Sequence, residues 1–249
     1  MWRLSSILSP EVLPVISGRR VYLRVPQMRD FSDWRDLREA SRAFLTPWEP
    51  IWPADDLTKP AFRRRLRRYA RDIVNDEAYP LLVFRTADHS LLGGVTLSYV
   101  RRGICQSASL GYWMGASHAG QGLMSDALRA LLPVAHDSLG LHRIEAACMT
   151  NNEPSLRLLE SVGFQCEGIA RKYLCINGEW QDHFLHARLA GDPMVPRYRT
   201  YMGTIEPSQS RSAPLQARRP FEAQDQMGDP PLDGMLDEAI LRPKGPRRR

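Results

Sequence analysis

The sequence predicts an α/β protein in which helices flank a mixed β-sheet, and three features support that prediction. Stretches that alternate apolar and polar residues, typical of strands, are interspersed with longer stretches of helical periodicity. Glycine-containing turns separate several of these stretches. Hydrophobic residues make up 43% of the 249 residues, enough for the core of one large domain with extensions. The predicted order is β-α-α-β-β-β-α-β-α-β-β.

The first third of the domain contains one strand and two helices. Residues 20–25, "RVYLRV", alternate and predict a strand, and Phe31, Trp34 and Leu37 follow at near-helical spacing. Thr58 is placed to cap a second helix, in which Pro60 occupies the first turn. The inner stripe of this helix is Phe62, Leu66, Tyr69 and Ile73, and its other faces carry Arg63, Arg64, Arg65, Arg67, Arg68 and Arg71.

Strands dominate the remainder. "YPLLVFRTA" and "LLGGVTLSYV" predict two strands joined by a short turn, and "SASLGYWMG" predicts a third. A long helix begins in "LMSDALRALLPVAH", followed by the strand "HRIEAACM" and the helix "NEPSLRLLESVG". "GFQCEGIARKYLCI" predicts a bent strand, and a hairpin turn at "NGE" leads into the last strand, "WQDHFLHARL".

Composition divides the chain into three parts. We expect an N-terminal lead at 1–16, a globular domain at 17–192 and a disordered tail at 193–249 that is rich in Pro, Ser and Gln. Pro10, Glu11 and Pro14 interrupt the apolar residues of the lead, which argues against a signal peptide. No stretch approaches the ~20 apolar residues that span a bilayer. The four cysteines form no Cys-x-x-Cys pair, so we expect free thiols and no metal site. From the interrupted lead and the short apolar stretches we also expect no membrane contact and a cytoplasmic location.

Two glycines, Gly120 and Gly122, immediately precede the long helix. A helix N-terminus carries unpaired N–H groups and a partial positive charge, and glycine lets the backbone approach an anion closely. The turn could therefore bind a diphosphate, or it could simply connect a strand to a helix. It is neither a dinucleotide-binding fingerprint nor a P-loop. The net charge of +6 is compatible with an anionic partner but does not identify one.

A second motif, "TNNEPSLRLLESVGF", joins the glycine turn, and together they strongly resemble the GNAT superfamily of acyl-CoA-dependent N-acetyltransferases. The turn of that family reads Gln/Arg-x-x-Gly-x-Gly/Ala; Gly122 matches its central glycine, whereas Ala119 and Met124 depart from the pattern. "LTPWEP", "GGVTLSYVRRG", "LGYWMG", "GQGLMSDAL" and "ARKYLCINGEWQDH" look like the ribosomal-protein-alanine (RimJ-like) branch. The resemblance covers about residues 19–190 and leaves out the tail.

This resemblance implies the GNAT fold, with a splayed central sheet, and acetyl-CoA as co-substrate. The strand at Leu110 to Met114 would splay from its neighbour, and its free edge would pair with the pantetheine arm. The diphosphate would lie on residues 119–124, with Asn152 and Ser155 near the thiol. The implied cofactor residues are Tyr112, Trp113, Met114, Ala119, Gly120, Gln121, Gly122, Leu123, Met124, Asn152 and Ser155.

The resemblance also suggests catalytic residues. Tyr173 matches the tyrosine that protonates the thiolate in related enzymes, with Ser155 as a rival donor; Tyr173 could instead be a core tyrosine, and Ser155 an ordinary helix serine. Glu145 could act as a general base or be an exposed strand residue. Trp48 and Glu49, in "PWEP", are predicted to line the acceptor cleft, or else to form a hydrophobic lid.

Three functions remain open from the sequence. The first is acetyl transfer to the N-terminal α-amine of a ribosomal protein that starts with alanine or serine. The second is transfer to a small-molecule amine such as an antibiotic or a polyamine. The third is a non-catalytic module that binds acyl-CoA or the ribosome, suggested by the missing polar side chain at Ala119 and the lack of a clear base. The arginine-rich helix could contact ribosomal RNA or be an ordinary solvated face, and the protein could be a monomer or a homodimer.

Overall fold

The computed structural model describes residues 15–193. The predictions of a lead at 1–16 and of a disordered tail at 193–249 therefore fall almost wholly outside the described residues. Within the described part, Ile16 already belongs to the first strand of the sheet.

A mixed eight-stranded sheet forms the centre of the described part, as predicted. Its strand order is β1-β2-β3-β4-β5-β6-β8-β7, and every neighbouring pair is antiparallel except β5 and β6, which are parallel. The strands are β1 Ile16–Ser17, β2 Val21–Arg24, β3 Tyr79–Arg85, β4 Leu91–Arg101, β5 Ser107–Met114, β6 Arg143–Met149, β7 Gln165–Ile176 and β8 Glu179–Leu189.

Helices cover both faces of the sheet. The α-helices of the described part are α1 Phe31–Ala40, α2 Arg42–Leu45, α3 Lys59–Val74, α4 Leu123–Pro133 and α5 Glu153–Ser161, and a π-helical turn, Val134–Ser138, extends α4. Apolar residues of α4 and α5 pack with one face of the sheet in the larger core cluster. Trp34 of α1 and Phe62 of α3 pack with Leu82 and Phe84 of β3 in a second cluster. None of the described helices is long and apolar enough to cross a membrane.

The start of α3 follows the sequence prediction closely. Thr58 is the N-cap, its hydroxyl accepts a hydrogen bond from the amide of Ala61 at 3.3 Å, and Pro60 lies in the first turn. Phe62 is fully buried, whereas Leu66 and Tyr69 are partly buried. The hairpin turn at "NGE" is also confirmed, since Asn177 and Gly178 both have positive φ angles, 47° and 86°.

The sheet splays between β5 and β6, as the resemblance implied. The two strands pair over three residues, from Ser107 with Arg143 to Ser109 with Glu145. Beyond that point β5 continues to pair with β4 as far as Met114, while β6 continues to pair with β8 as far as Met149. The facing edges of β5 and β6 therefore separate, and the edge of β5 at residues 110–114 pairs with no other described strand.

Candidate active site

The glycine turn lies at the open end of the splay, between β5 and α4. Gly120 and Gly122 have φ angles of 72° and 71°, a left-handed conformation that favours glycine, and Gly122 is the N-cap of α4. No side chain caps this helix, so its first amides have no side-chain partner. A Cβ added at Gly120 would meet nothing within 4 Å. The turn is thus open to an approaching anion.

The predicted cofactor residues of this turn present different groups to that opening. Gln121 is exposed, and its amide nitrogen donates to the carbonyl of Ser117 at 2.9 Å, which folds the side chain back onto the loop. Leu123 and Met124 are only 5% and 7% exposed because their side chains lie in the core. These two residues can therefore offer a ligand only their main-chain amides. Ala119 is half-buried, and its methyl group adds no polar contact.

Tyr112 and Ser155 meet across the splay. Tyr112 lies on the separated part of β5, and its hydroxyl is 2.6 Å from the Ser155 Oγ near the start of α5. Asn152 is the N-cap of that helix and accepts a hydrogen bond from the Ser155 amide at 3.2 Å. Burial raises the pKa of Tyr112, so its hydroxyl stays protonated and remains a hydrogen-bond donor at neutral pH. The structure therefore brings together three of the residues predicted from sequence.

Cys148 lies next to this group, and the sequence analysis gave it no role. It is 4% exposed, and its thiol donates to the Asn152 carbonyl at 3.7 Å. Burial raises the pKa of the thiol, which keeps it neutral. Its position on the core side of an alternating strand was visible in the sequence, but its proximity to Ser155 depends on how α5 packs.

Glu145, the candidate base, lies at the vertex of the splay and is ion-paired. Its two carboxylate oxygens are 2.5 Å from Arg101 and 2.9 Å from Arg143, and Arg143 also pairs with Glu167. Both carboxylate oxygens of Glu145 are thus occupied by guanidinium groups and are not free to approach an amine. This arrangement favours a structural role for Glu145, which differs from both the general base and the exposed strand residue considered from the sequence.

Tyr173, the candidate acid, lies in an irregular part of β7. The pairing with β8 shifts register between Ala170 and Leu174, and Lys172 within that bulge has a φ of 46°. Tyr173 is 48% exposed, and its ring lies edge-on to His183 with 5.9 Å between ring centres. Among the described residues Tyr173 makes no hydrogen bond to Tyr112 or Ser155, whereas those two are hydrogen-bonded to each other.

Glu49 and Trp48, the candidate acceptor residues, belong to the loop after α2. Trp48 is half-buried and ends a short 3₁₀ turn, Thr46–Trp48. The Glu49 carboxylate accepts hydrogen bonds from both Arg38 Nη atoms, at 2.8 and 2.7 Å, and from the Trp52 indole at 2.7 Å. Arg38 and Trp52 were missed in the sequence, although a buried arginine on an otherwise apolar helix face would have been a useful indication.

The side chain of Trp113 turns away from the predicted cofactor edge. A Cβ added to Gly94 would lie 2.5 Å from the Trp113 indole nitrogen, so the ring packs directly on β4. The guanidinium of Arg38 lies 5.0 Å from the centre of the same ring. Tyr112, its neighbour, packs with the cluster on the opposite face of the sheet. Trp113 can therefore meet a ligand in the splay through its main chain, not through its ring.

Much of the arginine cluster on α3 is neutralised by acidic neighbours. Arg64 pairs with Asp55 and Arg65 with Asp56, while Arg68 and Arg71 lie 4.0 and 3.6 Å from Asp72. Lys59, Arg63 and Arg67 are exposed and form no ion pair within residues 15–193. Because these three are spaced four residues apart, they share one face of the helix. We call them the α3 basic stripe.

Comparisons with known proteins agree with this geometry. The family model described as "Acetyltransferase (GNAT) domain" matches residues 20–165. The chain is 36% identical over 178 residues to the probable N-acetyltransferase YjcK of Bacillus subtilis, covering 72% of this chain and 98% of that protein. It is 32% identical over 173 residues to the [ribosomal protein uS5]-alanine N-acetyltransferase of Escherichia coli, covering 70% of this chain and 89% of that protein.

A solved structure matches the fold as well. The structure of Mycobacterium smegmatis RimJ in complex with CoA-disulfide superposes with a TM-score of 0.66 at 32% identity, covering 72% of this chain and 86% of that one. No group of three His, Cys, Asp or Glu side chains within residues 15–193 is placed to hold a metal ion.

Proposed function

The chain belongs to the acetyltransferase (GNAT) family, and on that premise we propose that it moves the acetyl group of acetyl-CoA to the N-terminal α-amine of a protein. The preferred acceptor is a ribosomal protein that begins with alanine or serine. The observation that carries the proposal is the splay between β5 and β6, which leaves a strand edge running from the exposed glycine turn to the Tyr112–Ser155 pair.

The cofactor would lie along that edge. The amides at the start of α4 and around Gly122 would bind the pyrophosphate, because they are unpaired and carry the positive end of the helix dipole. The main chain of β5 at residues 110–114 would pair with the pantetheine arm. The thioester then reaches the Tyr112–Ser155 pair.

The ion pairing of Glu145 with two arginines is compatible with an α-amine acceptor. A model α-amine has a pKa near 8, so about a tenth of it is neutral at pH 7, whereas a lysine offers only a few parts in ten thousand. Such an acceptor needs little help from a base, and holding it against the thioester can supply most of the rate acceleration. An ion-paired Glu145 is therefore no obstacle to the reaction.

Two residues compete to protonate the departing thiolate, Ser155 and Tyr173. Ser155 lies in the splay and is hydrogen-bonded to Tyr112, whose raised pKa keeps the tyrosine hydroxyl protonated at neutral pH. Tyr173 lies on an exposed bulge beside His183. These placements favour Ser155 and leave Tyr173 as the alternative.

A small cationic amine is a less favoured acceptor. A cleft for an antibiotic or a polyamine needs free carboxylates, but Glu49 and Glu145 are both held by arginines. A ribosomal acceptor also gives the α3 basic stripe a role. Its three cations would contact the phosphates of ribosomal RNA and bring the enzyme close to its substrate.

The test is release of coenzyme A with a panel of amines. The panel contains peptides with N-terminal alanine or serine, the same peptides with a blocked N-terminus and an internal lysine, spermidine and an aminoglycoside. We expect release with the free N-terminal peptides only. If coenzyme A is released only with the small amines, the acceptor is a small molecule and not a protein N-terminus. Binding of acetyl-CoA without release for any amine would support the non-catalytic alternative.

A further inference from the structure

A largely buried ion pair lies between two tryptophans on the face of the sheet that α1 and α3 cover. The Arg38 and Glu49 side chains are only 8% and 20% exposed and are joined by two parallel hydrogen bonds. The Arg38 guanidinium lies 4.1 Å from the ring centre of Trp52 and 5.0 Å from that of Trp113. We call these four residues the Arg38 clamp.

One side of the clamp is fixed to the cofactor strand. Trp113 belongs to β5, and the absence of a side chain at Gly94 lets its ring lie flat on β4. The Ser41 hydroxyl, directly after α1, accepts a hydrogen bond from the Ala116 amide at 2.9 Å. Since Ala116 lies between β5 and the glycine turn, α1 is held to the segment that joins the cofactor strand to that turn.

The other side of the clamp reaches the hairpin formed by β7 and β8. The carbonyl of Glu49 accepts a hydrogen bond from the amide of Asn177 at 2.9 Å, in the turn between β7 and β8. A Cβ added at Gly178 would lie 3.3 Å from the Ile51 side chain, so the loop and the turn are in contact. A continuous chain of contacts therefore runs from β5 through Arg38 and Glu49 to the hairpin beside β6.

From this connection we propose that Arg38 and Glu49 are positioning residues that hold the loop at 46–52 over the splay and so fix the acceptor amine against the thioester. The proposal rests on the proposed function, because it concerns the acceptor of that reaction. In this role Glu49 makes no direct contact with the acceptor ammonium, because three hydrogen bonds hold its carboxylate and Arg38 balances its charge.

Steady-state kinetics of Glu49→Gln and Arg38→Lys test this role. Lysine keeps the charge but cannot make the two parallel hydrogen bonds. We expect kcat/KM for the acceptor peptide to fall roughly 10- to 100-fold, because the loop at 46–52 is displaced and no longer positions the amine. The Kd of acetyl-CoA should change by less than about twofold, because Arg38 meets β5 through the Trp113 ring, which faces away from the proposed cofactor edge. The matched control is Asp36→Asn, which breaks an exposed ion pair with Arg35 on the same helix and should change neither value.

Hydrogen exchange of the protein without any acceptor provides an independent readout. Amides of residues 46–52 should exchange faster in Glu49→Gln than in the wild type, while those of α4 remain unchanged. This measurement distinguishes a failure of the clamp from a failure of the proposed function, because it needs no acetyl transfer. If Glu49→Gln does not fold, the same exchange measurement is made on Trp52→Phe, which removes one hydrogen bond to Glu49 and keeps an aromatic ring.

Two results would overturn the proposal. One is unchanged loop exchange in a folded Glu49→Gln or Trp52→Phe variant. The other is an equal weakening of acetyl-CoA binding and acceptor use, which would assign the cluster to the cofactor instead.

Discussion

Gly122 is the residue where backbone conformation and the proposed cofactor contact coincide. At a φ of 71° a β-branched residue is strained, and in the proposed complex its side chain would keep the pyrophosphate from approaching the backbone closely. We predict that Gly122→Val lowers coenzyme A affinity at least roughly tenfold by calorimetry, since several charge-assisted hydrogen bonds depend on close approach. Gly140→Val is the control: its φ of 66° imposes similar strain in an open turn away from the site. Equal affinities for the two variants would contradict the assigned turn.

Ser155 and Tyr173 can be separated by a pair of conservative substitutions. Loss of a general acid lowers turnover by about 10²- to 10⁴-fold without a matching loss of cofactor affinity. We predict that Ser155→Ala shows such a loss and that Tyr173→Phe keeps most of its turnover. The measurements are single-turnover acetyl transfer and coenzyme A binding. A large loss for Tyr173→Phe together with an active Ser155→Ala would identify the tyrosine as the donor.

What the sequence revealed about single residues depended on how local their roles are. The role of Gly122 follows from its position before a helix, so its left-handed conformation could be anticipated. Glu49 was noticed in its loop, but the pairing with Arg38 joins residues eleven apart on different elements and depends on how the loop folds back over α1. Arg143 lies two residues before Glu145 on the same face of β6, as the period of a strand predicts, but Arg101 comes from β4, and no spacing rule predicts that contact.

Elements with strong local patterns were predicted well. Helix α3 has a cap, a proline in its first turn and an apolar stripe, and its observed start agrees with them. The two-residue strand β1 and the four-residue helix α2 were not predicted, because segments this short show no complete period. The bend predicted in β7 is present as two register shifts against β8. The splay was predicted from the family resemblance, since it depends on two strands distant in sequence.

Arg188 shows how one side chain supports a whole element. It lies on β8, is 5% exposed, and donates to the carbonyls of Val162 at 3.0 Å and Asp192 at 2.8 Å. Val162 follows α5, so Arg188 satisfies the end of the helix that carries Ser155. We predict that Arg188→Met lowers the free energy of unfolding by about 2 kcal/mol, measured by urea denaturation, because the buried carbonyls lose their donors.

The control for this prediction is Arg157→Met on the exposed face of α5. Arg157 forms a solvent-exposed pair with Glu153, so its loss should cost less than about 0.5 kcal/mol. If the two variants were equally stable, the buried arginine would not be a structural cap of α5.

The whole molecule carries a net charge of +6, but ion pairing decides where that charge can act. Acidic neighbours neutralise much of α3, and Arg101, Arg143, Glu145 and Glu167 form a mixed network on the sheet. The α3 basic stripe remains, with Lys59, Arg63 and Arg67 at intervals of about 6 Å along one face. The sequence showed six arginines on this helix but could not show which of them were paired.

This distinction predicts how the protein responds to salt when it binds RNA. Arg63→Gln/Arg67→Gln removes two unpaired charges, whereas Arg64→Gln/Arg68→Gln removes two paired charges from the same helix. For a ribosomal RNA hairpin, the slope of log affinity against log salt should become shallower by about 1.5 in the first variant and by much less in the second. Acetylation of a free peptide should be the same in both. Equal slopes for the two double variants would mean that total charge, and not the α3 basic stripe, governs the contact with RNA.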